Sequence, residues 1–375
     1  MRKWIVSAIL IIIGLYSCQN QTQKLSEFEQ GAKMIQERFI PDKSLAAFRA
    51  ELSFENGMWL LDGESDVSEY AAAVVSLADS LIGKNQYKNN FSILPEESLG
   101  DSIYAITSVS VANIRRDPRH SAEMVDQSIM GRPLKLLKYV RGGWYMIQTH
   151  YGYIGYIQRG QLTRMDKKSL DEWQNAPAIR MTALSGQIFS KPDEESEPVS
   201  DFVINVQLKK TGSTKDWIQV ELPRGKQGYV EKEDAVDASA DQKLTLGRIM
   251  HTAHSMMGVP YLWGGNSSKG NDCSGFTQTV FNANGVQLPR DARQQVLVGE
   301  EIIPNDDFSN IRPGDLLFFG SEKRITHVGI SIGGDEFIHQ AGYVHISSLN
   351  PEKENYSAYR KGQFQKAKRV IHAEN

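Results

Sequence analysis

Trp144 is followed eleven residues later by Gly155-Tyr156-Ile157, and Trp217, after the same interval, by Gly228-Tyr229-Val230. Pro118, in Arg116-Asp117-Pro118, and Pro192, in Ser190-Lys191-Pro192, stand 26 and 25 residues before the respective tryptophans. This repeat, with short alternating strands and Gly, Pro or Asp turns roughly every ten residues, predicts two small β-barrels at 101–165 and 178–237. The stretch 231–243, charged, alanine-rich and poor in large apolar residues, reads as the linker that follows them.

The chain has 375 residues, enough for two or three domains, so the barrels are flanked by further folded segments. Hydrophobic residues at 40% and charged residues at 23% exclude a disordered or fibrous chain. A net charge of −3 leaves no basic footprint, so nucleic acid is not expected as a partner. The two cysteines, Cys18 and Cys273, exclude a disulfide framework or a cysteine-based zinc site.

At the N-terminus, Arg2 and Lys3 precede an apolar run from Ile5 to Tyr16 that is too short to span a membrane and reads as a secretory signal. Its end, Leu15-Tyr16-Ser17-Cys18, resembles a bacterial lipobox. That likeness implies a signal peptide at 1–18, acylation at Cys18, and an exported protein held to the cell envelope by a lipid anchor. From 24 to 100 the pattern is α+β. Phe28, Ala32, Ile35 and Phe39 recur at helical spacing up to Pro41, Asn56-Gly57 marks a hairpin, and 71–81 returns to helix.

The chemistry concentrates in 244–375. Leu246, Ile249, Met250, Ala253 and Met257 form a helical stripe expected to be buried. Asn271 or Asp272 can cap a second helix that carries Phe276, Val280 and Phe281 and stops at Gly285. Cys273 then lies in its first turn, where free amides and the helix dipole favour a thiolate of depressed pKa. Further on, Thr326 to Gly333 alternates, Gly333-Gly334-Asp335 turns, and 337–341 returns. A hairpin centred on Gly333 places His327 and His339 directly opposite one another, on one face. Cysteine catalysis needs a thiolate, an imidazole base and a polar group that orients the imidazole. His251 and His254, three apart on the first helix, lack a third metal ligand at a fixed spacing and read as an ordinary helix face; His345 and His372 have no recognisable partners.

These residues resemble the NlpC-type family of papain-like cell-wall peptidases. The likeness runs through Tyr261-Leu262-Trp263-Gly264-Gly265, Asp272-Cys273-Ser274-Gly275-Phe276, Leu288-Pro289-Arg290, Arg312-Pro313-Gly314-Asp315-Leu316, His327-Val328-Gly329-Ile330 and Phe337-Ile338-His339. The repeated units resemble tandem bacterial SH3-like domains. Together they imply a multidomain chain: an α+β N-terminal segment, two SH3-like β-barrels and an α+β papain-like catalytic domain.

The resemblance further implies Cys273 as nucleophile, His327 as base, His339 as the orienting third residue, and the Cys273 backbone amide in the oxyanion hole. Tyr261, Trp263, Asp272 and Ser274 would line the substrate site, with Tyr153 and Glu123 closing one end. Asp291 is a further candidate; Ala292 stands where relatives often carry a hydroxyl. The whole layout is similar to exported γ-D-glutamyl-L-diamino acid peptidases, which use murein stem peptides as substrate and need no cofactor or metal. The alternatives are an endopeptidase or amidase acting on intact murein, and a non-catalytic murein-binding anchor. The Asp272 carboxylate beside the nucleophile calls for a positive charge. The expected source is a substrate ammonium, a free N-terminal L-Ala amine shared with Glu123 and Tyr153.

Overall fold

The computed structural model describes residues 2–239 and 245–371, with side chains from Asn20 onward. The chain divides into two compact units, one of residues 1–100, 136–139 and 152–154, the other of the remainder.

In the first unit, helix α1 (Arg2–Phe39) ends just before Pro41, which cannot continue it. Strands β1 (Phe48–Glu55) and β2 (Met58–Ser65) join through Asn56-Gly57, both at positive φ as a tight hairpin turn requires. Helix α2 (Ser68–Ile82) crosses over to β3 (Tyr87–Ile93), parallel to β2. Phe28 of α1 is fully buried with Leu52, Leu61, Tyr70 and Val74, and Ala32, Ile35 and Phe39 pack around them. The expected signal peptide and Cys18 fall on residues whose side chains lie outside the described ones.

The Trp repeat folds as two seven-stranded sheets. The first contains β4 (Tyr104–Thr107), β5 (Val111–Arg115), β6 (Met124–Ile129), β7 (Pro133–Val140), β8 (Trp144–Thr149), β9 (Ile154–Gln158) and β10 (Leu162–Met165), in the order β10-β4-β7-β8-β9-β5-β6. Helix α3 (Lys167–Asn175), capped by Asp166, leads to the second. It contains β11 (Ala178–Met181), β12 (Ser185–Phe189), β13 (Pro198–Val203), β14 (Gln207–Ser213), β15 (Trp217–Glu221), β16 (Gln227–Glu231) and β17 (Ala235–Asp237), in the order β13-β12-β16-β15-β14-β11-β17.

Each repeat tryptophan opens a strand, and each repeat glycine sits where no Cβ fits. A Cβ on Gly155 would lie 2.4 Å from Ile114, and one on Gly228 2.5 Å from Ile188. The expected linker begins later than its composition suggests. Ala235–Asp237 pairs with β11, because Ala235 and Val236 close the barrel edge, and 240–244 lie outside the described residues.

The final segment opens with α4 (Leu246–Ser255), whose Ile249 and Ala253 are buried. Met256, not Met257, completes that stripe: the helix ends at Ser255, and the change of direction leaves Met257 44% exposed. A short ribbon, β18 (Asn266–Ser267) and β19 (Gly270–Asn271), precedes α5 (Cys273–Ala283) and α6 (Ala292–Gln295). An antiparallel sheet follows, of β20 (Glu300–Ile302), β21 (Leu316–Ser321), β22 (Arg324–Gly333), β23 (Glu336–Ala341), β24 (Tyr343–Ser348) and, after α7 (Ala358–Gln363), β25 (Phe364–Arg369). Its order is β20-β25-β21-β22-β23-β24. Phe276, Val280 and Phe281 of α5 pack on Leu316, Phe318, Val328, Ile330 and Ile338 of that sheet, fixing the start of α5 against β22.

Candidate active site

Asp272 caps α5 by accepting the Gly275 amide at 2.8 Å, which leaves Cys273 in the first turn. The Cys273 sulfur lies 4.0 Å from the Thr326 carbonyl oxygen and receives the Val328 and Ser274 backbone amides. It therefore sits against β22 on both sides of His327.

His327 and His339 do meet, though not in the expected register. His339 lies opposite Gly329, and His327 opposite Phe319 of β21. The reason is the turn, which closes with Gly333 opposite Glu336 rather than centring on Gly333; a bulge between Ser331 and Gly333 takes back one residue of that shift, and the net slide is two residues. Because side chains alternate with period two, a two-residue slip keeps both imidazoles on one face. They join diagonally, His327 Nε2 to His339 Nδ1 at 2.8 Å. Gly329 makes room, since a Cβ there would stand 3.0 Å from that of His339 and 2.8 Å from the Phe337 ring.

The chain of contacts continues to a residue that sequence reasoning missed. His339 Nε2 lies 3.0 Å from the Ser347 hydroxyl on β24. The available signal was the alternation of Tyr343, His345 and Ser347 on one face. His345, for which the sequence offered no partner, lies directly opposite His339, their rings 4.5 Å apart.

Arg290 is the other residue whose role was not legible. Its side chain is buried and all five N–H groups are used. Nη1 and Nη2 donate to Asp272 at 3.0 and 2.7 Å, Nη1 also to Ser274 Oγ, Nη2 to the Gly265 carbonyl, and Nε to Asp126 of β6 at 2.6 Å. Asp126 also accepts the Tyr151 hydroxyl. The positive charge that Asp272 demands is thus internal, which corrects the expectation that a substrate ammonium supplies it. Ser274 spends its hydroxyl in the same cluster, donating to Asp272 at 3.2 Å.

Burial, reinforced by the Asp272 charge, pushes the Cys273 thiol up to about 12, against the depressed value expected from its helix position. The helix amides and the Arg290 charge are outweighed because the site is desolvated and Asp272 lies beside the sulfur. Burial also drives His327 well below its ordinary value, with Arg360, His339 and His345 adding to the effect. His339 falls to about 2 for the same first reason, helped by His345 and Arg360. These shifts all favour the neutral forms, a thiol at Cys273 and uncharged imidazoles at His327 and His339.

At the rim, Trp263 is 62% exposed and donates its indole N–H to Glu123 at 2.8 Å; Glu123 also pairs with Arg116 at 2.8 Å. Tyr261 is half-exposed, its phenol raised to about 12 by burial and by the nearby Cys273 and Asp272. Asp291 pairs with Arg293 at 2.8 Å at the start of α6. Tyr153 is buried and belongs to the first unit, not to the unit that carries Cys273.

Comparison with known proteins places this geometry. Residues 258–367 match the NlpC/P60 family, and residues 114–162 match the bacterial dipeptidyl-peptidase Sh3 domain. The chain belongs to the NlpC/P60 family. It is 27% identical to dipeptidyl-peptidase 6 of Lysinibacillus sphaericus, over 67% of this chain and 94% of that protein. It is 45% identical to γ-D-glutamyl-L-lysine dipeptidyl-peptidase of Bacillus subtilis, over 30% of this chain and 37% of that one. The fold is shared with an NlpC/P60 family protein from Bacillus cereus, at a TM-score of 0.62 and 22% identity, over 71% of this chain and 99% of that chain.

In this NlpC/P60 peptidase the His327–His339–Ser347 contacts admit two directions of hydrogen bonding. In one, His327 Nε2–H donates to His339 Nδ1 and His339 Nε2–H donates to Ser347, which leaves His327 Nδ1 unprotonated.

Proposed function

We propose that the protein is a cysteine-type peptidase that hydrolyses the γ-D-glutamyl-L-diamino acid bond of murein stem peptides with a free N-terminal L-Ala. The observation that carries this reading is the Cys273 thiol lying against the backbone on both sides of His327, whose imidazole is held by His339 at 2.8 Å. The relatives' names support the bond and the release of a dipeptide. The Glu123 carboxylate beside Trp263 supports recognition of an ammonium at the rim.

The thiol proton passes to His327 Nδ1 as Cys273 sulfur attacks the γ-carbonyl carbon. Because the resting thiol and imidazole are both neutral, this transfer accompanies attack rather than preceding it. The tetrahedral intermediate collapses to a thioester, and the imidazolium gives its proton to the leaving amine. Neutral His327 then takes a proton from water, whose oxygen attacks the thioester and frees the dipeptide acid and the thiol. His339, fixed by Ser347, holds the ring plane and stabilises the imidazolium. Anchoring at the cell envelope through acylated Cys18 belongs to the same proposal, supported by the apolar run ahead of it.

Mass spectrometry of L-Ala-γ-D-Glu-diamino acid tripeptide after incubation tests the reading. L-Ala-γ-D-Glu and free diamino acid are the products expected. An intact tripeptide, or cleavage at another bond, overturns it.

A further inference from the structure

Helix α7 carries Arg360 beside the catalytic strand pair. Its guanidinium carbon lies 5.8 Å from the centre of the Phe319 ring and 5.2 Å from that of Tyr359. Phe319 is the residue paired with His327 across β21 and β22, and the two rings are 5.8 Å apart. Arg360 is half-buried, and among the described residues no carboxylate acts on it; the groups that do are Tyr359 and the Cys273 thiol. Arg290 and Arg369, by contrast, each hold a carboxylate at 2.7 Å. A planar, weakly hydrated cation resting on aromatic faces with no anion is a ready carboxylate receptor.

Its position selects which part of a substrate it meets. Arg360 reaches the centre from β21, the neighbour of the His327 strand on the side away from β23 and His339. In the proposed reaction His327 hands its proton to the leaving amine, so a group anchored beside His327 on that side meets the leaving residue. We propose that Arg360 is a specificity-determining residue that binds a carboxylate borne by the leaving diamino acid. This rests on the reading of Cys273 and His327 given above. A diaminopimelate residue brings such a group on its side chain, and any C-terminal residue brings its α-carboxylate. A lysine with a blocked α-carboxyl brings only an ammonium, which Arg360 repels.

The test uses four peptides, L-Ala-γ-D-Glu followed by meso-diaminopimelate or L-lysine, each with a free or amidated α-carboxyl, and the full chain as wild type, Arg360→Gln and Arg360→Lys. The expected result is a loss of roughly 10- to 100-fold in kcat/KM for Arg360→Gln, mainly through KM, on peptides that supply the carboxylate. On the amidated lysine peptide the loss stays below about 3-fold, and Arg360→Lys retains most of the preference. Loss that follows the free α-carboxyl identifies that group as the ligand; loss on amidated diaminopimelate identifies the side-chain carboxylate. Equal loss on all four peptides, or none, overturns the proposal while wild-type cleavage leaves the reaction standing. Wild type that cuts none of the four overturns the reaction itself, and this proposal with it.

Discussion

Arg290 grips both oxygens of Asp272, at 3.0 and 2.7 Å, while its Nε reaches Asp126 of β6, 164 residues earlier in the chain, at 2.6 Å. Two buried carboxylates thus share one guanidinium, one of them on Asp272 next to Cys273 and the other supplied by β6.

Arg290→Met removes the cation and strands both carboxylates. Losing one partner of a buried ion pair costs about 3–5 kcal/mol. Urea unfolding is expected to show a loss of at least that order, together with loss of peptide hydrolysis. Arg290→Lys keeps a charge but cannot serve five acceptors, so it falls between the two.

The histidine relay predicts graded losses. His339→Ala frees the His327 ring and is expected to lower kcat by roughly 10²–10⁴ with KM little changed. Ser347→Ala removes one neutral hydrogen bond, of about 1 kcal/mol, and costs roughly 5- to 10-fold. Steady-state kinetics on the tripeptide compare them.

Alkylation of Cys273 reports on its raised thiol. In a Cys18→Ser protein Cys273 is the sole thiol. Its rate with iodoacetamide is expected to rise continuously from pH 7 to 10, because ionisation lies near 12. A plateau below about pH 8 would indicate a preformed thiolate.

Stability is bounded on both sides of neutrality by these buried groups. Folded His327 and His339 resist protonation, so below about pH 6.5 the unfolded chain binds more protons and stability falls as pH falls. The folded Cys273 thiol resists ionisation, so above about pH 8.5 the unfolded chain loses its proton first and stability falls again. Each group contributes up to about 1.4 kcal/mol per pH unit across its window. Chemical denaturation from pH 5 to 10 is expected to give a plateau between the two limits.

What the sequence disclosed was local or periodic. The Asn56-Gly57 turn, the Asp272 cap and the Trp-to-Gly-Tyr repeat each act over a few residues or recur at fixed intervals, and each appears in the fold. The face shared by His327 and His339 was legible because alternation survives a two-residue slip. Their direct opposition was not, because Gly333-Gly334-Asp335 does not fix which residues close the turn, and the bulge at 331–333 has no signature in an alternating strand. The contact of Asp126 with Arg290 joins a strand to a loop 164 residues further on, and no spacing rule reaches that far. The thiol value followed the same pattern: the helix start was visible, whereas the burial that outweighs it is a tertiary property. Met257 was misplaced for a smaller reason, the exact residue at which α4 ends.

The central claim is that Cys273 and His327 together cleave the γ-D-glutamyl bond. Incubating L-Ala-γ-D-Glu-diamino acid tripeptide with wild type, Cys273→Ala and His327→Ala, and quenching early turnover for mass spectrometry, tests it directly. The account predicts L-Ala-γ-D-Glu from wild type, a transient adduct of that dipeptide on Cys273, and no product from either variant. Cleavage by Cys273→Ala at the wild-type rate would contradict it.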